Sequence, residues 1–389
     1  MPVNFLNLKP QIHKLAETAV SRRSELAQKL TACQALLYQY SDKQKDLQEV
    51  VVITANQNKG LRCAMPVSET LTTHQSVSLP APACTILAAD GSQINPDPHG
   101  SALYGLVNVG VFRMQPGSGL APEITTYSNL LYDEDLHPSG GLASEDLIAL
   151  MRDVWERKIL ADLAQNEAAP LVTLTDGPLE LYHEPRQEKE FEHYFKQYLS
   201  ALDDLALNQV ITAGYVDRPR ADLVVKLLEL VAPEQQSTKH DSTERPFAGV
   251  TDLQLFETIL NPGERSAIFK LQSSSADAFA NKKVLHFFYI NVGSVGQPAL
   301  ARVEVPLWVV EDPQAMTTLQ SVLVEQSRLA GSRPYPYPLI RAHEIAVVKM
   351  DDHDQISQMI ESELLNRGLS PSFNSNKQSH KQHQARGRM

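Results

Sequence analysis

The chain's pattern predicts a mixed α/β fold built on one central sheet. Three observations lead there. An apolar run, Thr85-Ile86-Leu87-Ala88-Ala89, ends in Asp90-Gly91-Ser92-Gln93. A near copy follows downstream, Leu171-Val172-Thr173-Leu174-Thr175 ending in Asp176-Gly177-Pro178-Leu179. Between and beyond them, strand-like segments first succeed one another across short turns and then alternate with helix-like segments.

Taken in order, residues from about 10 to 48 read as helix, with Leu15, Ala19, Leu26, Leu30, Leu36 and Leu37 at helical spacing. A segment this long must pack on the domain or on a second subunit. The polar stretch from about 55 to 82 carries Pro66, Pro80 and Pro82 and reads as a loop or lid. The Asp90 segment is the first core strand, and Asp90-Gly91 reads as its tip followed by a sharp turn. Ala102 to Met114 is apolar and rich in β-formers, and Glu123 to Tyr132 makes a third strand, so the three form an antiparallel meander. Residues 143 to 166 are helical, with Leu147, Leu150, Met151, Val154, Lys158 and Ala161 on one stripe. Ala169-Pro170 stops that helix and the Asp176 strand follows. A charged helix spans about 187 to 206, then a strand Gln209 to Tyr215, then a helix from about 219 to 231 opened by Pro219.

That order, β-β-β-α-β-α-β-α, is the ribonuclease H-like topology. Its physical content is that the first and fourth strands become parallel neighbours, because right-handed crossovers leave few other layouts. Their tips, with Asp90 and Asp176, then sit together. Residues 232 to 281 read mostly as loop or short helix. Lys283 to Val292 and Leu300 to Val310 read as a hairpin, followed by helices at Gln314 to Leu329, Leu339 to Met350 and Ile356 to Leu365. The expected organisation is a helical segment and polar loop over 1–82, a catalytic domain over 83–350, and a last helix with a basic, disordered tail over 351–389.

At 389 residues with 42% hydrophobic content, the chain can bury a full core. No apolar run approaches the roughly 18 to 20 residues of a membrane helix, and the N-terminus has no leader pattern. Three scattered cysteines, Cys33, Cys63 and Cys84, read as reduced structural thiols, so a cytoplasmic location is expected. The net charge of −11 argues against a basic surface coating but not against a local cleft. The basic residues Arg367, Lys377, Lys381, Arg386 and Arg388 stand in a tail without acids after Asn366.

Two carboxylates at adjacent strand tips are the beginning of a hard-cation site. Phosphodiester hydrolysis needs charge stabilisation and an activated water, and two Mg²⁺ or Mn²⁺ ions about 3.5–4 Å apart supply both. Such ions take oxygen ligands from several elements. A third carboxylate is expected from the intervening helix, either Glu145 or Glu156. These lie about 16 Å apart along the axis, so at most one reaches the site. Glu156 is favoured, on the half leading into the Asp176 strand. The cluster Tyr335-Pro336-Tyr337-Pro338-Leu339-Ile340-Arg341-Ala342-His343 sets a histidine on the first turn of a helix, as a Mn²⁺ ligand or proton carrier. Arg113, Arg218 and Arg265 are candidate phosphate contacts. Ser92, standing where a haloacid-dehalogenase phosphatase has its second Asp, argues against that class.

With these residues in place, the chain resembles the NurA nuclease family over roughly residues 85 to 350. The blocks are Ala89-Asp90-Gly91-Ser92-Gln93, Thr175-Asp176-Gly177-Pro178-Leu179 and the Tyr-rich turn with Ala342-His343, in that order. Gly214-Tyr215-Val216-Asp217-Arg218-Pro219 and Asn261-Pro262-Gly263-Glu264-Arg265-Ser266 also look like the family. The resemblance implies a ribonuclease H-like, Mn²⁺-dependent (or Mg²⁺-dependent) nuclease acting on DNA ends and single-stranded DNA. The implied activity is of the 5′–3′ exonuclease and single-strand endonuclease type, in double-strand break end resection. It implies a homodimer and a hexameric HerA-type ATPase partner. It also implies metal ligation by Asp90, Asp176 and His343, by Glu156 through its position, and a functional Tyr335, with Tyr337 a near competitor. The alternative is a catalytically weak DNA clamp or adaptor for the ATPase.

Overall fold

The computed structural model describes residues 4–98, 102–137, 141–181, 189–233 and 245–369. The N-terminal segment is two helices, α1 (Phe5–Gln39) and α2 (Gln44–Gln57), where the periodicity suggested one. The break falls at Tyr40-Ser41-Asp42-Lys43, a polar stretch between helices that each bury a short apolar stripe (Cys33, Leu36 and Leu37; Leu47 and Val51). The stretch expected to be a loop carries two short strands, β1 (Cys63–Pro66) and β2 (His74–Gln75). Pairing overrides local polarity here: β1 bonds to a later strand through the register Cys63↔Gln272 to Pro66↔Phe269.

The meander follows as expected, with β3 (Thr85–Ile94), β4 (Gly105–Met114) and β5 (Glu123–Leu131). Helix α3 (Glu145–Ala164) starts where Ser144 Oγ accepts from the Leu147 N–H at 3.2 Å, with Glu145 and Asp146 in the first turn. Then come β6 (Leu171–Asp176), α4 (Lys189–Leu207), β7 (Ile211–Asp217) and α5 (Leu223–Glu229). Farther on lie α6 (Asp252–Glu257), β8 (Arg265–Ser266), β9 (Phe269–Gln272), β10 (Leu285–Asn291) and β11 (Leu300–Pro306). The last two form the expected antiparallel hairpin. Helices α7 (Leu307–Val310), α8 (Pro313–Arg328), α9 (Tyr337–Ala346) and α10 (Met350–Asn366) close the chain. The basic tail beyond Leu369 lies outside the described residues. No helix among the described residues is long and apolar enough to cross a membrane.

The chain divides into two compact units. One comprises Met1–Pro82, Gly177–Glu180 and Gly214–Tyr335. In it β10 pairs with β9, β8 and β11, and β11 runs antiparallel to the second half of β7. Its buried acids are hydrogen-bonded. Asp252 accepts from the Val224 and Val225 N–H groups, capping α5, and from Tyr289 Oη at 2.6 Å. Glu304 Oε2 accepts from the N–H groups of Leu179 and Glu180.

The other unit comprises Ala83–Asp176, Leu181–Ala213 and Pro336–Met389. Its strand order is β7, β6, β3, β4, β5. Strand β3 is antiparallel to β4 and parallel to β6, and β4 is antiparallel to β5. This is the mixed ribonuclease H-like arrangement read from the element order. The centre is apolar on both faces: Ile86, Ala88, Ala89, Val172 and Leu174 have no exposure. Each such aliphatic side chain of Val or Leu size contributes about 1.5–3 kcal/mol on burial.

Burial raises the Asp252 carboxyl to about 6, its hydrogen bonds opposing the shift. The folded chain therefore holds a proton that the unfolded chain releases from its ordinary value upward. The stability this contributes is complete below about 3.8 and lost as pH rises through about 6. The stability of the native chain relative to Asp252→Asn, which does not titrate, should accordingly fall as pH is raised from 4 to 7, as read from thermal melts of both. A relative stability that rises over that range would contradict the assignment.

Candidate functional site

The register Ala89↔Thr175 between parallel β3 and β6, continued by one residue, sets Asp90 opposite Asp176. Neighbouring strands lie about 4.8 Å apart and in-register side chains share a face. The two carboxylates predicted to meet are therefore brought side by side. Asp176 is exposed at the last position of β6.

Asp90 is not at a strand tip. Strand β3 runs on to Ile94, paired with β4 through Asp90↔Gly110, Gly91↔Val109 and Ser92↔Asn108. The expected turn at Gly91 is absent, and the glycine has a different cause. A Cβ built there would lie 2.5 Å from Glu156 Oε1 and 2.5 Å from Arg152 Cγ. Gly91 is the gap through which α3 lays these side chains on the sheet beside Asp90. The second pair behaves as read: Gly177 has φ +91° and turns the chain directly after Asp176.

Gly110, opposite Asp90, makes the same allowance for another helix. A Cβ there would lie 2.6 Å from Ala346 N and 2.7 Å from Ala342 O of α9. Successive strand residues alternate faces, so α9 covers the face of Asp90 and α3 the face of Gly91. Helix α9 starts at Tyr337, two residues earlier than expected, so His343 stands in its second turn rather than its first. From there His343 Nδ1–H donates to Asp90 Oδ2 at 2.6 Å, across 253 residues of sequence. The acceptor is a carboxylate, which assigns the proton to Nδ1 and leaves Nε2 outward on a side chain 67% exposed. The end of α9 is fixed too: Ala346 O accepts from Ser92 Oγ and from Asn108 Nδ2 at 2.8 Å.

Glu156 is 6% exposed, whereas Glu145 is exposed at the start of α3. Among the described residues no hydrogen-bond donor reaches the Glu156 carboxylate; its ion pair is Arg152 Nε at 3.6 Å. Burial pushes its carboxyl well above the usual range, and Asp153 and Asp90 add to this against the opposing Arg152 and Arg157. A buried carboxylate beside other carboxylates and short of donors fits a site for a divalent cation. Oxygen donors with one imidazole suit a hard ion such as Mg²⁺ or Mn²⁺. Among the described residues, no group of three or more His, Cys, Asp and Glu side chains is close enough together to hold a metal ion.

A family model described as the NurA domain matches residues 84–348, well over half of the chain. The chain belongs to the NurA family. The crystal structure of the NurA nuclease from Sulfolobus solfataricus is similar at a TM-score of 0.51 and 13% identity, covering 93% of this chain and 96% of that one. At that identity the likeness is one of fold. Drosophila Piwi (TM-score 0.29, 11% identity, 70% of this chain and 30% of that one) and a type 1 ribonuclease H (0.20, 12%, 32% and 60%) are too distant to carry an argument. No curated protein matches.

In this NurA-family chain the other residues singled out from the sequence have separate surroundings. Tyr335 belongs to the first unit, where its ring lies edge-on to Tyr215 at 5.3 Å. Tyr337 packs edge-on against Phe112 at 5.7 Å. Arg113 is clamped by both Glu167 oxygens and by Glu123. Arg265 is clamped by both Glu69 oxygens and by Gln75. Neither is a free phosphate contact; both are structural ion pairs. Arg218 is exposed, at φ 42°. Sequence reasoning missed Arg152, Asn108 and Gly110, and it read Gly91 as a turn and gave Ser92 no contact. Gly110 within an uninterrupted strand pattern was the available signal, since an interior strand glycine marks a close approach.

The two glycines should respond differently to an added methyl. In Gly110→Ala the methyl meets the backbone of α9, so the loss should reach or exceed the roughly 1–3 kcal/mol of an overpacked site. In Gly91→Ala it meets movable side chains, so the loss should be smaller. Urea titrations of the two variants test this, and equal midpoints would contradict it.

Proposed function

We propose that the chain is a metal-dependent DNA nuclease that hydrolyses phosphodiesters at DNA ends. The observation that carries the reading is Asp90 in a NurA-family chain, with His343 hydrogen-bonded to it at 2.6 Å, Asp176 at the adjoining register position and Glu156 over the neighbouring Gly91. The finer reading is 5′–3′ exonuclease and single-strand endonuclease action in end resection. It includes a homodimer and a HerA-type hexameric ATPase as partner, and it draws on the family resemblance.

Asp90, Glu156, Asp176 and His343 are the residues that would hold the cations, Mn²⁺ or Mg²⁺, in a two-metal site. When bound, such ions stabilise phosphoryl charge and lower the pKa of water. The chain's own contribution is positional. Asp90 fixes the His343 ring and its tautomer, so Nε2 faces the solvent side, where an imidazole exchanges protons with a leaving oxygen. Packing around Glu156 keeps water off one side of the carboxylate group and strengthens its electrostatics.

The test is end-labelled linear DNA incubated with Mn²⁺, with Mg²⁺ or with EDTA. Cleavage should need the metal and fall roughly 100-fold or more in Asp90→Ala, the scale of losing one preorganised charge-stabilising contact. His343→Ala should lose about 100-fold, the low end for a general acid or base. A Tyr335→Phe arm measures the role the family resemblance gives that hydroxyl. DNA binding without cleavage in either metal would instead favour the clamp. Turnover of a small phosphate ester without any DNA interaction would sink both.

A further inference from the structure

Resting on the nuclease reading, we infer that Arg152 is a substrate-binding residue of this site, engaging a phosphodiester of the strand being cut. Its stem crosses Gly91, with Cγ and Cδ at 2.5 and 2.9 Å from where a Cβ would stand. That places it one residue from Asp90. Carboxylates alone repel a phosphodiester, so a cation among them has electrostatic work to do there.

The bonding of Arg152 differs from that of Arg113 and Arg265. Arg113 and Arg265 each face two oxygens of one carboxylate, which satisfies the planar fork. Arg157 is buried, donating to Thr175 Oγ1 and lying 5.8 Å from the Tyr198 ring centre. In Arg152, Nε and Nη2 converge on a single oxygen, Asp153 Oδ1, at 3.1 and 2.8 Å. Nη1 reaches Gln93 Oε1 only at 3.4 Å, and Glu156 stands at 3.6 Å from Nε. The side chain is 30% exposed. A guanidinium carries five N–H donors in a fork that matches two phosphate oxygens. Arg152 therefore keeps donor capacity on its solvent side, next to the residue that anchors the site. A simple surface pair with Asp153 needs neither the crossing of Gly91 nor the contact with Gln93.

The experiment uses the full chain and a fluorescent single-stranded DNA oligonucleotide. Binding is followed by anisotropy from 50 to 300 mM salt, once in calcium and once in EDTA, and cleavage is followed in manganese. Arg152→Ala and Arg152→Lys are compared with Lys158→Ala, an exposed position on the same helix with the same charge change as Arg152→Ala. Loss of one phosphate contact on a single strand should flatten the slope of log K against log salt by about 0.7. Arg152→Ala should show that flattening together with a fall in kcat of roughly 100-fold, while Lys158→Ala shows neither. Arg152→Lys should keep the slope and lose about tenfold in kcat, since the charge remains and the fork does not.

Slopes and rates in Arg152→Ala equal to those in Lys158→Ala would overturn the inference. Should Arg152→Ala lack a cooperative melt, Arg152→Lys decides, and wild-type kcat in it would overturn the inference. Wild-type chain that binds DNA without cutting it overturns the nuclease reading while the slope comparison still judges Arg152. A chain that binds no DNA overturns both.

Discussion

The close approach of two helices to one strand pair is the constraint on which the site depends. Helix α3 reaches β3 at Gly91 and α9 reaches β4 at Gly110, both at distances that a Cβ would forbid. The two glycines sit at neighbouring register positions and face opposite sides of the sheet. A strand normally separates its two faces by the thickness of its side chains. Here that thickness is missing at two adjacent points, so α9 closes on Asp90 from its own face while α3 closes on Gly91 from the other. Parallel pairing of β3 with β6 then adds Asp176 in the plane of the sheet.

The cost is carried by ordinary packing. A glycine within a strand gives up conformational freedom and side-chain contacts, a penalty of roughly 0.5–1 kcal/mol. The neighbouring positions offset it, since Ala88, Ala89, Val109 and Val111 are buried to within 2% of complete. The end of α9 is held by Ser92 and Asn108 on its last carbonyl, and Asn108 is itself braced by Ser128 at 2.6 Å. His343 is therefore positioned by hydrogen bonds from the strands it faces as well as by its own helix.

How much of this could be read in the sequence depends on the range of the forces involved. Strand and helix order is a local property of periodicity, so the meander, the later hairpin and the ribonuclease H-like order were legible. The parallel meeting of Asp90 with Asp176 followed from chain connectivity alone. Asp90-Gly91 and Asp176-Gly177 look alike as text, but only the second is a turn, with φ +91°. The first is a matter of tertiary clearance, and its cause stands about sixty residues away on α3. The same limit misdirected the choice of arginines. Arg113 and Arg265 find their carboxylates 54 and 196 residues away, and no local signal marks them as occupied. Nothing local marks Arg152, because its approach to Gly91 is set by how α3 packs on β3.

Hydrogen-bond accounting separates the acids that hold the fold together from Glu156. Asp252 accepts from two backbone N–H groups and a tyrosine hydroxyl. Glu229 accepts from Phe247 N–H and Arg245, and Glu304 from two backbone N–H groups. Each is buried, and each accepts at least two hydrogen bonds. Glu156 is equally buried, yet Arg152 at 3.6 Å is its ion-pair partner and two of its neighbours are themselves acids. A carboxyl group in that state is relieved either by taking up a proton or by positive charge brought to it. That asymmetry, rather than any single distance, sets Glu156 apart from the acids that hold the fold together and supports the cation proposed at this end of the sheet.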